Sequence, residues 1–159
     1  MKNENLERMI RLADEFFEAK SDPMQISVGA ETMELLRSIH PNTMGEIRNK
    51  KGPIAWALVL PTTSTLMKAF ISKKISEKDL LMKTPLKIKY DALYLCSVLV
   101  LPEERGKGLA KRLLRKSIKA IKRKHPIGCF FYWGFSREGK GLASVLGKEF
   151  DLPVYARKA

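Results

Sequence analysis

The residues best suited to chemistry lie in one stretch, Val98-Leu99-Val100-Leu101-Pro102-Glu103-Glu104-Arg105-Gly106-Lys107-Gly108-Leu109-Ala110. An apolar strand runs into a proline, and a loop with glycines at 106 and 108 opens directly into a helix. Such a junction aims several backbone N–H groups, unpaired because they belong to a helix's first turn, at one spot. Glycine lets the backbone approach an anion closely, and the helix dipole adds favourable potential. Arg105, Lys107, Lys111 and Arg112 surround the turn, and no acidic residue occurs from Arg105 through Arg137. Leu109, Leu113, Ile118 and Ile121 would bury one face of the helix and leave its basic residues outside. A diphosphate is the natural guest, and a plain tight turn with solvated lysines is the alternative. Two commoner phosphate loops are excluded. There is no G-x-x-x-x-G-K-[ST], and Gly106-Lys107-Gly108 is followed by Lys111 where G-x-G-x-x-G needs glycine or alanine.

The string V-L-P-E-E-R-G-K-G-L-A followed by K-R-L-L closely resembles the coenzyme A loop of the GNAT superfamily, Q/R-x-x-G-x-G/A. On that match Arg105 is the leading Q/R, Gly108 the glycine and Ala110 the closing small residue. The resemblance implies that backbone amides of residues 106 to 110, Lys107 and Leu109 included, hold a pyrophosphate, with Lys111 beside them. It implies that Val98 and Val100, flanking Leu99, hydrogen-bond pantetheine through their main chain. The Val98 N–H would then polarise a thioester carbonyl for direct attack by an amine. Acetyl-CoA is the implied donor, and an amine on a small molecule or protein the acceptor.

A base must make the amine neutral and an acid must meet the departing thiolate. Where some family members carry a carboxylate base on the fourth strand, this chain has Tyr94. The family's frequent acid, a tyrosine in the helix after the fifth strand, falls near Val145 and is missing. Three candidate catalytic residues remain, Tyr132, Tyr94 and Glu46. Tyr132 would reach the acceptor cleft or pack in the core; Glu46 would work through water or stand solvated at a strand end. Tyr155 is a weaker choice. Cys96 reads as a buried thiol before it reads as a nucleophile, and Ser136 and Glu138 either touch pantetheine or cap the following helix.

The elements that must position these groups follow from periodicity. Apolar residues at helical spacing mark helices over 5–19 and 31–39, and a hairpin follows with strands at 45–48 and 53–60. Residues 64–83 read as a helical insert, whose second part opens on the capping box Ser76-Glu77-Lys78-Asp79. This insert departs from the usual direct connection between the family's third and fourth strands. Leu86 to Leu101 reads as a long strand, 108–124 as a basic helix, 129–135 as an aromatic strand, about 138–150 as a helix and 153–157 as a last strand. The sum is one GNAT-like domain over 1–159. Its mixed α/β sheet would have an antiparallel front half and a parallel strand–helix–strand back half.

Thirty Lys and Arg against seventeen Asp and Glu give a net charge of +13, which attracts polyanions without choosing among them. A nucleic-acid module is therefore the rival reading, with the basic residues from Arg105 to Lys124 as a phosphate track and Phe130 to Trp133 for stacking. Four consecutive aromatics on a strand point to both faces, so at least half belong in a core. A coenzyme A binder with little turnover is the third reading. Two cysteines without C-x-x-C spacing and two histidines give no metal site, and no apolar run is long enough to span a membrane. A cytoplasmic location is the default expectation.

Overall fold

The computed structural model describes residues 4–19, 30–134 and 137–158. Two helices lead, α1 (Glu4–Ala19) and α2 (Ala30–Ile39). A hairpin follows, β1 (Met44–Asn49) and β2 (Gly52–Thr62). Next come α3 (Ser64–Ile71), α4 (Glu77–Lys83) and β3 (Ala92–Val100). The chain closes with α5 (Leu109–Lys122), β4 (Phe130–Gly134), α6 (Arg137–Phe150) and β5 (Val154–Lys158). The five strands form one sheet in sequence order; β1–β2 and β2–β3 are antiparallel, and β3–β4 and β4–β5 are parallel. This is the expected mixed α/β architecture.

Local chemistry explains most of the boundaries. Thr63 caps α3 by accepting from the Leu66 N–H. At α4, Ser76 and Asp79 form the reciprocal capping box expected from their spacing. The insert is two helices because Lys73 adopts a positive φ of 66° between them. One boundary corrects the sequence reading. Strand β3 begins at Ala92 rather than Leu86, because the preceding residues spend their polar groups elsewhere. The Tyr90 N–H donates to His125 Nδ1 at 3.2 Å, and the Tyr90 hydroxyl donates to the Pro85 carbonyl at 2.7 Å.

The core is densest where β3 meets β4. Phe70 from α3, Tyr94 from β3 and Phe131 from β4 are fully buried, with ring centroids 5.0 to 6.0 Å apart. Such clusters add geometric preference to the burial of large apolar area. The insert therefore covers one end of the sheet. The basic helix α5 buries Leu109, Leu113, Leu114, Ile118 and Ile121 against β1, β2 and β3, and its lysines stay outside.

Candidate active site

Strand β3 changes character halfway along. Leu95 pairs with Val59 and Ser97 with Leu58, so Cys96 is an extra residue, a β-bulge. A bulge reverses which edge successive N–H groups face. The Leu93 N–H donates toward β4, to the Cys129 carbonyl, whereas the Leu101 N–H donates toward β2, to the Ile54 carbonyl. Alternation then turns the N–H groups of Val98 and Val100 away from β2. Among the described residues no strand meets them there. Strands β3 and β4 pair only at Leu93 with Phe130 and Tyr94 with Phe131. Beyond that point β3 stays with β2 as far as Val100, while β4 stays with β5 as far as Gly134.

The gap between the parted strands is a cleft of about 850 Å³. Leu95 to Val100 form one wall, with Tyr132 and Trp133 opposite; α6 contributes Glu138, Gly139 and Leu142. Its floor is the loop singled out above, where Arg105, Gly106, Gly108, Leu109 and Ala110 all line it. Gly106 and Gly108 hold φ angles of 81° and 76°, and Gly108 is the residue before the first turn of α5. A side chain at either would strain the backbone, although the space beside both is open. The Arg105 Nε donates to the Val100 carbonyl at 3.0 Å and ties the loop back to the strand. Glu103 receives both Arg8 amino groups at 2.6 and 2.7 Å, which ties the loop to α1 and holds the carboxyl at about 2. Lys107 pairs with Glu104 at 2.9 Å and Lys111 lies 4.0 Å from Glu149; neither lines the cleft.

A second hollow of about 470 Å³ opens on the other side of β3. Met33, Leu36 and Arg37 of α2, Glu46 of β1 and Trp56 and Leu58 of β2 line it. The two cavities share Ser97 and Leu99, immediately after the bulge. Glu46 accepts from Trp56 Nε1 at 2.8 Å and from Arg48 at 3.0 Å, so its carboxylate is oriented at the rim of this hollow.

Of the residues named from sequence, Val98, Leu99, Val100, Arg105, Gly106, Gly108, Leu109 and Ala110 come together with Tyr132 around the larger cleft. Glu46 faces the smaller one. Tyr94 requires a correction. It is fully buried below the cleft, its hydroxyl donates to Glu77, and burial first and the Glu77 charge second push its pKa well above 10. A phenol so held is no base for an incoming amine. Tyr155 is half exposed on β5 and lines neither cavity, and Val145 is exposed on α6. Ser136 lies outside the described residues. Ser97 and Leu142 were not singled out from sequence, and Trp133 was named only as a stacking ring; no local pattern marks them as cleft residues, because only the parting of the strands brings them together. Phe130 and Phe131 are fully buried and cannot stack on bases, which removes half of the aromatic platform a nucleic-acid reading needs. Among the described residues no cluster of His, Cys, Asp or Glu could hold a metal, and no helix is long and apolar enough to cross a membrane.

No curated protein matches this chain. Among solved structures, the chain is similar to Chaetomium thermophilum Naa20, determined in complex with a bisubstrate analogue, at 14% identity and a TM-score of 0.43. That likeness covers 77% of this chain, which spans only 54% of the Naa20 chain. It is similar also to a ribosomal-protein-alanine N-acetyltransferase from Brucella melitensis biovar Abortus 2308, at 12% identity and a TM-score of 0.43, over 86% of this chain and 85% of that one. Residues 13–145 match the acetyltransferase (GNAT) family, and the chain belongs to that family.

Proposed function

We propose that the protein is an N-acyltransferase that passes an acetyl group from acetyl-CoA to a primary amine by direct attack. The observation that carries this reading is the parting of β3 from β4 directly above a glycine-bearing helix start. The loop amides and α5 dipole would take the pyrophosphate, and the Val98 and Val100 main chain would pair with pantetheine as a missing strand would. The thioester would then lie at the bulge, beside Ser97 and Leu99, where the two cavities meet.

The rest follows from proton bookkeeping. The amine nitrogen attacks the thioester carbonyl carbon while the Val98 N–H stabilises the developing oxyanion, and the C–S bond breaks as the new C–N bond is completed. A donor in that place is worth about 3 kcal/mol in other acyl transfers. Tyr132, facing β3 across the cleft, supplies the proton that the departing thiolate needs. The acceptor enters through the smaller hollow, where the Glu46 carboxylate draws its ammonium and takes one proton through water before attack; the second proton, lost from nitrogen after attack, passes through water to restore Tyr132. The apolar lining there favours an amine on an apolar stem, and the net charge of +13 disfavours polyamines. Two free cysteines, Cys96 and Cys129, suit a reducing compartment, and we place the enzyme in the cytoplasm.

The test is release of coenzyme A thiol from acetyl-CoA in the presence of short peptides with a free amino terminus, against the same peptides N-acetylated and lacking lysine. Release that requires the free amine supports the reading. Binding of acetyl-CoA without release, across peptide and small-amine panels, would replace it with the coenzyme A binder of little turnover.

A further inference from the structure

One buried acid remains that this chemistry does not use. Glu77 is the first residue of α4, in the insert, and it is fully buried although its neighbours Lys78 and Asp79 are solvent-accessible. Capping does not explain it, because Asp79 completes the box with Ser76. Its carboxylate instead points down to β3. The Tyr94 hydroxyl donates to Glu77 Oε2, and Cys96 Sγ lies 3.7 Å from the same oxygen. Those two residues have particular places in the strand. Tyr94 is the last β3 residue paired with β4, and Cys96 is the bulge itself. Other charge nearby comes from β5, where the Arg157 guanidinium lies 4.6 and 4.5 Å over the Phe70 and Trp133 rings.

Burying a carboxylate costs far more than burying a leucine of similar size unless its partners are well placed. An apolar residue would cover the Phe70–Tyr94–Phe131 cluster at least as well. What it could not do is hold a hydroxyl and a thiol on either side of Leu95 in one geometry. We infer that Glu77 is a positioning residue for acyl transfer. By gripping Tyr94 and Cys96 it fixes the bulge that turns the Val98 N–H into the cleft. The insert, foreign to the usual connection of this family, thereby braces the reacting end of β3 from beneath. This inference rests on the acyltransferase reading.

The test compares Glu77→Leu and Glu77→Gln with Leu80→Ala, which removes a fully buried side chain from the same helix and touches stability alone. Three quantities are measured well below each variant's melting temperature: the dissociation constant for acetyl-CoA, coenzyme A release into hydroxylamine at saturating acetyl-CoA, and the pH profile of that release. Hydroxylamine is a small neutral nucleophile that needs no acceptor hollow. Glu77→Leu is expected to slow release about 10- to 100-fold while the dissociation constant moves less than about threefold. Glu77→Gln, which keeps one acceptor oxygen, should recover part of that loss, and Leu80→Ala should release at close to the parental rate. Parental release by Glu77→Leu, or an equal loss in Leu80→Ala, overturns the inference. If Glu77→Leu does not fold, Glu77→Gln combined with Tyr94→Phe decides. Effects that fail to add support the shared grip, and simple addition refutes it. A parent that binds acetyl-CoA and releases nothing ends the acyltransferase reading itself, and this inference with it.

Discussion

The two halves of β3 share one strand and have opposite fates. From Ala92 to Leu95 the strand is buried, paired with β2 and, at Leu93 and Tyr94, with β4; its Tyr94 ring stacks on Phe131 and meets Phe70 edge-on. From Ser97 to Val100 it keeps β2 and loses β4, and its outer edge faces a cleft. One extra residue, Cys96, separates the two. The closed half holds the sheet together; the open half presents main-chain donors that a partner must satisfy, because a sheltered N–H without a partner is costly. A binding edge of this kind is stable only while the paired half is rigid enough to hold the strands apart beyond it.

The largest effect should come from breaking the closed half. Phe131→Ala removes a fully buried ring at the point where the strands part, and should cost about 3–5 kcal/mol in chemical denaturation. Equal stability in parent and variant would mean that the aromatic cluster does not hold the junction. Next is the open half's floor. Gly108→Glu puts a side chain and a negative charge on a residue at φ 76°, and should weaken acetyl-CoA binding about 100-fold by calorimetry. A variant that stays folded and binds normally would remove the loop from the site.

Tyr132→Phe sharpens the comparison across the cleft. Loss of the proton donor should lower kcat about tenfold or more with little change in KM for acetyl-CoA, a pattern that separates chemistry from binding. An unchanged kcat would leave the thiolate to be protonated by water. The smallest effect is on pH dependence. His40 and His125 are both held below 6.5, by burial first and then by neighbouring positive charge, including each other in the case of His40. Their depressed folded values mean that the stability they contribute is fully present above 6.5. It is lost as pH falls through 6.5 toward those lower values. The melting temperature should therefore drop between about pH 7.5 and about pH 5.5, and less so in His125→Gln. No drop in the parent would show that neither imidazole resists protonation in the fold.

Much of this was legible in residues and their spacing. The glycines at 106 and 108, the basic surround and the resemblance carried by Arg105, Gly108 and Ala110 located the cleft floor, since those signals are local to one strand–loop–helix junction. The pairing directions, antiparallel in front and parallel behind, followed from element order. The bulge at Cys96 was not legible, because it exists only in the register of β3 against β2. The parting of the strands was hidden too, since a nine-residue strand beside a five-residue one can pair in several ways. Tyr94 stands at the strand position where some family members carry a carboxylate base, and only the packing shows it buried and capped by Glu77 from below. Glu77 entered the sequence reading only as part of the capping box Ser76-Glu77-Lys78-Asp79, and its burial against β3 shows only in the packing.

Amide hydrogen exchange with and without acetyl-CoA tests the central claim most directly. The account predicts slowed exchange in two separate segments, residues 97–100 and 106–110, with β1 and the hairpin end of β2 unaffected. Protection absent from 97–100, or confined to the basic outer face of α5, would contradict it.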